Sequence, residues 1–153
     1  MSIDDAAGRF GTQTHNVVQE MMVGSWYCIL SDDLWVVSPY WQLLLGREIK
    51  TEAMLSKADW LSLVHPDDVQ HQQAVWSRHV QGLSRCYQCI FRMRHADGQW
   101  VTVIDQGVLG VGPGGMRGEA QVTGFMLRMC DDLARQISPF VFARPALDES
   151  GLG

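Results

Sequence analysis

The sequence is most informative at Phe91-Arg-Met-Arg-His-Ala-Asp-Gly-Gln-Trp-Val101. An Asp-Gly pair, here Asp97-Gly98, favours the tight turn of a β-hairpin when strand-like residues flank it. Trp100 opens the second strand, and aromatic residues are enriched in strands. The segment therefore predicts two antiparallel strands joined at Asp97-Gly98.

The strand that leads into this hairpin alternates over residues 86–94. Because successive side chains of a strand point to opposite faces, its residues divide into two sets. One face carries Tyr87, Cys89, Phe91 and Met93, and the other carries Gln88, Ile90, Arg92 and Arg94. The alternation predicts that one of these faces lies against a core.

A helix start precedes the hairpin at His65-Pro-Asp-Asp68. His65 is expected to cap the helix, because proline suits the first helical position. The carboxylates of Asp67 and Asp68 complement the helix dipole in the first turn. We expect this helix to run from Pro66 to about Gln81, where Gly82 ends it.

Local signals predict the remaining elements. Ser38 and Pro39 begin a helix that Gly46 ends, and Ser56 with Asp59 forms an approximate capping box for another. Strands are expected at 25–30, 34–37, 99–111 and 119–129, the last two joined around Gly112-Pro-Gly-Gly115. Strands grouped apart from helices indicate an α+β fold with an antiparallel sheet.

Composition narrows the class of protein. The chain has 153 residues, of which 46% are hydrophobic and 19% charged, so it can bury the core of one domain. A net charge of −5 gives no basic surface for nucleic acid. No apolar run reaches membrane-spanning length, and the N-terminus does not resemble a signal peptide. We therefore expect a cytoplasmic domain with reduced cysteines.

Both ends of the chain differ from the centre. Residues 1–23 are expected to form a flexible segment and a short amphipathic helix, whose apolar positions are Val17, Val18, Met21 and Met22. Residues 131–153 resemble a linker towards an effector domain beyond residue 153. A helical turn or two is expected from Asp131 to Ile137, and Ser138-Pro139 is expected to interrupt it.

Two motifs suggest chemistry that their context excludes. Gly110-x-Gly112-x-x-Gly115 has dinucleotide-binding spacing, but a strand follows it where the mechanism needs a helix N-terminus. Cys86-x-x-Cys89 lies on a strand, where an odd spacing turns the two sulfurs apart, and no second Cys or His pair completes a tetrahedral site. We predict no metal site.

The histidines and carboxylates form no catalytic set. On the helix after His65, an apolar stripe is predicted to face the sheet and consists of Val69, Gln73, Trp76, Val80 and Leu83. His71 then points to solvent, and His79 lies about 80° from the stripe, at the surface edge or beside a cavity. The paired carboxylates are adjacent in sequence rather than opposed across a cleft. We expect no enzymatic activity.

With these elements in order, residues 24–130 resemble a PAS domain of the subclass with a His-Pro-x-Asp helix start. The matching segments are Gly24-Ser-Trp26, Trp35 through Ser38, Leu45-Gly46, His65-Pro-Asp-Asp68, Phe91-Arg92, Asp97-Gly-Gln-Trp-Val101 and Gly124. The resemblance implies a five-stranded antiparallel sheet with helices packed on one face. It also implies a sensor or dimerisation module of histidine kinases, cyclic-dinucleotide enzymes or transcription regulators.

The chain departs from the family at positions that matter for cofactor binding and for passing a signal to a neighbouring domain. The Asp-Ile-Thr that commonly ends the last strand is replaced by Arg128-Met129-Cys130. The flavin photoadduct motif Asn-Cys-Arg-Phe-Leu-Gln is absent. Haem-binding relatives use a histidine near the position of His71, which is predicted to face outward. The cofactor therefore stays unassigned, with neither haem nor flavin photoadduct chemistry expected.

The resemblance and the residues give three sets of candidate positions. The ligand-pocket candidates are Trp41, Trp60, Trp76, Val80, Phe91, Met93, Ile104 and Met126. The dimer-helix candidates are Val17, Val18, Met21 and Met22. The structural motif comprises His65, Pro66, Asp68, Arg92, Asp97, Gly98 and Trp100, with Arg92 expected to pair with Asp67 or Asp68.

Three functions follow from these positions. The first is a regulatory module that binds a small ligand or partner and passes a conformational change to a neighbouring domain, as a homodimer. The second is a purely structural homodimerisation module, and the third a small cone-shaped enzyme.

Overall fold

A six-stranded antiparallel sheet forms the centre of the molecule. The computed structural model describes residues 23–51, 53–111 and 119–142. The strands are β1 (Val23–Ile29), β2 (Leu34–Val37), β3 (Ala53–Ser56), β4 (Tyr87–Arg94), β5 (Trp100–Val111) and β6 (Ala120–Arg128). Their order across the sheet is β3-β2-β1-β6-β5-β4. The predicted α+β class is confirmed, with one more strand than expected.

The additional strand is β3, which pairs with β2 over four residues. Its last residue, Ser56, is also the N-cap of the next helix. Since so short a strand has no alternation to recognise, only the cap was visible in the sequence.

Within the described ranges four helices accompany the sheet: α1 (Pro39–Leu44), α2 (Lys57–Leu63), α3 (Pro66–Val80) and α4 (Asp131–Val141). The predicted caps of the first three are confirmed. The Ser38 hydroxyl accepts a hydrogen bond from the Trp41 amide at 3.3 Å, and Ser56 and Asp59 form a full capping box. His65 Nδ1 accepts from the Asp67 amide at 3.1 Å. No helix in the described ranges is long and apolar enough to cross a membrane.

The core lies between the sheet and α1–α3. The sequence left open which face of β4 points inward, and the structure buries the face that carries Tyr87, Cys89, Phe91 and Met93. Glycines allow close packing at two places that the family resemblance singled out. A Cβ on Gly24 would overlap the Trp41 backbone, and one on Gly124 would overlap the Trp26 indole and the Gln106 carbonyl.

Ile104 does not belong to this core, so its assignment to the pocket was wrong. It pairs with Ile90 and Leu127 on the outer face of the sheet, and it is only half-buried. The inward residues of β5 include Val101, Val103 and Asp105. The error is one residue of register, which exchanges the two faces of a strand.

The buried face of α3 also differs from the predicted stripe. Its buried residues are Asp68, Gln72, Trp76 and His79, whereas Leu83 is 63% exposed. Polar residues occupy the inner face because the fold supplies partners for them. His71 is exposed as predicted, but His79 is 1% exposed and lies inside the core.

The C-terminal segment continues further as a helix than expected. α4 passes through Pro139 to Val141, so the predicted interruption at Ser138-Pro139 was wrong. α4 contacts β5, and Phe142, just after it, lies against Arg92 of the outer sheet face. The helices that bury the core, α1–α3, lie on one face of the sheet as expected, and α4 has no buried residue. The candidate dimer residues Val17, Val18, Met21 and Met22 and the turn at 112–115 lie outside the described residues.

Candidate functional site

Six aromatic rings form a continuous cluster between the sheet and α1–α3. Adjacent ring centroids are between 5.3 Å and 6.2 Å apart. The members are Trp26, Trp35, Trp41, Trp60, Trp76 and Tyr87, none of them more than 6% exposed. This cluster contains three of the predicted pocket residues, Trp41, Trp60 and Trp76.

A carboxyl group lies inside this aromatic cluster. Asp105 is completely buried on β5, opposite Cys89 on β4 and Met126 on β6. Its Oδ1 accepts a hydrogen bond of 2.6 Å from the Trp26 indole Nε1. Its Oδ2 has no hydrogen-bond partner in the described part of the chain.

Polar side chains connect this region to the surface of α3. Gln73 donates to the Gln72 side-chain oxygen at 2.6 Å, and Gln72 donates to the Tyr87 hydroxyl at 2.9 Å. Tyr87 and Asp105 are close enough to influence each other's pKa. These side chains form a polar chain that leads from the half-buried Gln73 on α3 to the buried Asp105.

The pKa values in the cluster favour neutral groups. Burial raises the pKa of Asp105 well above its usual value, and the opposing interactions with Trp26, Tyr87 and the Gln106 backbone are weaker. Burial likewise raises the pKa of Tyr87. Burial, followed by the charge of Asp105, raises the pKa of Cys89 to about 12. The site is therefore a low-dielectric pocket in which an isolated charge is costly.

Other polar atoms of the core also lack partners within the described ranges. They are the indole nitrogens of Trp41 and Trp60 and the Nε2 atom of His79. His79 Nδ1 lies 3.1 Å from the Ser84 carbonyl oxygen, which can only accept, so Nδ1 carries the hydrogen. Buried polar atoms normally have partners, and these three atoms are exceptions to that rule.

Arg92 ties the start of α3 to the edge of the sheet. Its Nε and Nη2 donate to the two oxygens of Asp68 at 2.9 Å and 2.7 Å, and its backbone amide donates to the same carboxylate. The Arg92 carbonyl accepts from the His65 amide at 2.8 Å. The expected pairing of Arg92 with Asp67 or Asp68 is therefore made with Asp68.

Arg92 also touches the C-terminal end of the described chain. Its guanidinium carbon lies 4.5 Å from the centroid of the Phe142 ring, within the range of a cation–π contact. One side chain thus contacts α3 on one side and the segment after α4 on the other.

The structural motif residues lie together at the hairpin end of the sheet. The Asp97 carboxylate accepts from the Gln99 amide at 2.8 Å, and Gly98 has a φ of 89°. The Trp100 ring packs against His65, with centroids 4.5 Å apart, and against the Arg94 guanidinium at 5.0 Å. These contacts join the turn to the start of α3, and Pro66 occupies the first turn there.

Among the other predicted pocket residues, Phe91, Met93 and Met126 are buried in the core and Val80 packs at its edge. Sequence reasoning missed Trp26, Gln72, Tyr87 and Asp105 as a group. The available signal was an acidic residue at an inward position of an apolar strand, since Val101, Val103 and Asp105 share one face. Because Ile104 was predicted to point inward, its neighbour Asp105 was assigned to the outer face and was not recognised as a site residue.

Comparison with known proteins supports the resemblance. A family model described as "PAS fold" matches residues 34–115. A sensory box histidine kinase/response regulator from Burkholderia thailandensis has a similar structure, with a TM-score of 0.62 and 18% identity over 84% of this chain and 93% of that one. The N-terminal domain of a diguanylate cyclase with a PAS/PAC sensor from Marinobacter aquaeolei gives a TM-score of 0.55 and 21% identity, over 69% and 94%. At these identities the structures share the fold. No curated protein matches the sequence significantly.

Proposed function

This chain belongs to the PAS fold family, and we propose that residues 24–130 are a non-catalytic sensory module that binds a small ligand in the core and relays its presence to a neighbouring domain. The proposed site lies between α3 and the sheet, at the position of Asp105 among the packed rings of the aromatic cluster. The unpartnered Oδ2 of Asp105 carries this proposal, because a buried polar atom without a partner is costly unless a ligand or water completes it.

The relay runs through Arg92. A ligand beside Asp105 shifts α3, whose start is fixed to Arg92 by Asp68, and Arg92 contacts Phe142 after α4. A ligand can shift such an equilibrium only if it binds one arrangement better than the other. Because the rings pack against one another, a ligand among them would bind the arrangement in which α3 has moved away from the sheet.

The proposal includes the context of the module. Residues 131–153 lead to an effector domain, the protein works as a homodimer, and it resides in the cytoplasm. Two exposed free cysteines, Cys86 and Cys130, suit a reducing compartment.

Native mass spectrometry combined with absorption spectroscopy of the purified chain tests the ligand. We expect an additional mass that remains bound in the native spectrum and disappears on denaturation, with no Soret or flavin band. The matched control is Trp76→Leu, which opens the cluster and should lose the bound mass. A visible cofactor band contradicts the expectation about cofactors. A ligand-free protein whose melting temperature no metabolite mixture changes contradicts ligand sensing.

A structural homodimerisation module remains the second candidate. The outer sheet face exposes Val108 and Phe125, each 56% accessible, on adjacent strands. Exposed apolar patches often mark interaction sites. Sedimentation of the chain without residues 1–23 tests whether the predicted N-terminal helix forms the dimer contact, since a truncation that stays dimeric excludes that role.

A further inference from the structure

The surroundings of Asp105 bear on the charge of the ligand that would bind beside it. The described ranges contain two buried carboxyl groups, Asp68 and Asp105. Asp68 has a cationic partner in Arg92. No side-chain cation lies within ion-pair distance of Asp105 in the described part of the chain, and one of its oxygens is unpartnered. A buried carboxyl group is paired with a charge, bound to a metal or neutral, so Asp105 could ionise only beside a cation that the described residues do not supply.

A metal ion is the less suitable cation. The described residues contain no group of three His, Cys, Asp or Glu side chains arranged to hold one. Two aromatic residues, Trp26 and Tyr87, lie beside Asp105, and aromatic rings suit an organic cation. A metal would need oxygen or nitrogen ligands that this part of the core does not supply.

Three rings form walls beside Asp105. Trp26 donates to its carboxyl group, and Trp26, Trp76 and Tyr87 have pairwise centroid distances of 6.1, 6.2 and 5.3 Å. Tyr87 is nearly perpendicular to both indoles, at 80° and 84°. A cation near the centre of such a triangle lies within about 6 Å of every ring centroid, the range of a cation–π interaction.

We propose that the ligand is a small organic cation with an ammonium or quaternary ammonium group, held among Trp26, Trp76 and Tyr87 with Asp105 as its counter-ion. This inference rests on the proposed sensory function and specifies the ligand of the same site. Rings attract the cation through their faces, and the carboxylate balances its charge, so neither charge is buried alone.

Binding changes the protonation of the site. Burial raises the pKa of Asp105 well above its usual value, which favours the protonated form of the carboxyl group in the ligand-free site. The titratable groups beside it, Tyr87 and Cys89, are also neutral because their pKa values are raised. When a quaternary ammonium binds, the Asp105 O–H bond breaks and the proton passes to solvent, which leaves an ion pair of zero net charge. Binding therefore releases up to one proton.

Binding also requires movement of α3. Trp76 is on α3 and Tyr87 is on β4, and their rings touch edge to face. A cation can occupy the triangle only if α3 moves away from the sheet. This cost lowers the affinity, and it makes the position of α3 depend on the ligand.

Calorimetric titration of the full chain with choline tests the inference, with 3,3-dimethylbutanol as its neutral isostere. We expect choline to bind at least tenfold more tightly than the alcohol, with proton release seen as a dependence of the heat on the ionisation enthalpy of the buffer. Tetramethylammonium should compete with choline, and equal concentrations of sodium chloride should not. This comparison needs no variant, so it decides the matter even if substitutions in the core impair folding.

Variants then locate the site. Asp105→Asn should weaken choline binding at least tenfold and abolish proton release. Asp132→Asn, which changes a carboxylate that is 81% exposed, should bind choline as the wild type does. The inference is overturned if the alcohol binds as tightly as choline, if Asp105→Asn keeps full affinity, or if no cation binds. When no cation binds but native mass spectrometry finds a neutral ligand, the sensory function stands and only the cationic ligand is rejected.

Discussion

Arg92 combines more contacts than any single motif in the sequence suggested. Its guanidinium makes two hydrogen bonds to Asp68, which is almost fully buried, and also contacts Phe142. Hydrogen bonds to charged groups contribute about 1.5–3 kcal/mol, so Arg92→Ala should lower the free energy of unfolding by about 2–3 kcal/mol in urea denaturation. Arg135→Ala, which removes an exposed pair with Asp132, should change it by no more than about 0.5 kcal/mol. Equal effects of the two substitutions would show that Arg92 does not fix α3.

Asp105 and Asp68 should give stability opposite dependences on pH. Burial raises the pKa of Asp105, so its favourable contribution is complete below the unfolded pKa of about 3.9 and is lost as pH rises towards the folded pKa. Burial also raises the pKa of Asp68, but the hydrogen bonds from Arg92 lower it by more. The contribution of Asp68 is therefore present above pH 4 and is lost as pH falls through its folded pKa.

The prediction for Asp105→Asn follows from that difference. Between pH 4 and pH 8 the stability of the variant should increase relative to wild type, because the substitution removes a group that resists ionisation. Urea denaturation at each pH unit measures the effect. Asp68→Asn is the matched comparison, and its deficit should shrink as the pH falls below 4. If the difference between Asp105→Asn and wild type does not vary with pH, Asp105 is ionised in the folded protein.

At the scale of elements, α4 begins without a side-chain cap. Cys130 occupies the N-cap position with extended backbone angles but makes no capping hydrogen bond. Cys130→Ser supplies a hydroxyl acceptor at that position and should stabilise the helix by about 0.5–1 kcal/mol. Hydrogen exchange of the α4 amides should slow accordingly. Cys86→Ser, at another exposed cysteine outside any helix, serves as the control, and equal exchange in both variants would contradict the capping role.

Elements with a local code were predictable from the sequence. The strand β4 was predictable from its alternating residues and from the Asp97-Gly98 turn. The helices α1–α3 were predictable from their N-terminal caps. Both kinds of signal depend only on residues that are close in sequence. The direction of the β5 side chains could not be predicted, because it depends on tertiary contacts. Ile104 and Asp105 are adjacent, and hydrophobicity alone favoured Ile104 as the inward residue. Only the pairing with β4 and β6 shows that Asp105 faces the core.

The buried face of α3 also could not be predicted without knowledge of tertiary contacts. Its stripe was predicted from apolar residues, yet Asp68 and Gln72 are buried because Arg92 and Tyr87, on another element, satisfy them. A periodic pattern of apolar residues does not reveal hydrogen-bond partners that are distant in sequence. The candidate site was missed for this reason, since every polar residue in it depends on a partner from a different element.

At the scale of the whole molecule, α3 is held differently at its two ends. Its start is fixed by Asp68 to Arg92 and by His65 to the same strand. Its other end is followed by Gly82, with a φ of 77°, and by the exposed Leu83. The ring of Trp76, which closes the aromatic cluster, lies nearer the second end. The architecture therefore favours a hinge at Asp68 and opening at the far end of the helix.

Hydrogen exchange can test this hinge. In wild type, amides of residues 77–80 should exchange by local opening at a lower free energy than those of residues 70–73. Helix ends fray in general, so the decisive comparison is Arg92→Ala, which should accelerate exchange at residues 70–73 by about tenfold or more, the factor that corresponds to 1.4 kcal/mol. Amides of Val103 and Met126, in the central strands, report global unfolding and serve as the internal control. If Arg92→Ala accelerates both ends of α3 equally, or only together with these strand amides, the helix moves as a unit and Asp68 is not its hinge. A selective effect would show that the Arg92–Asp68 contact holds the start of α3 independently of its far end, as a hinge at Asp68 requires.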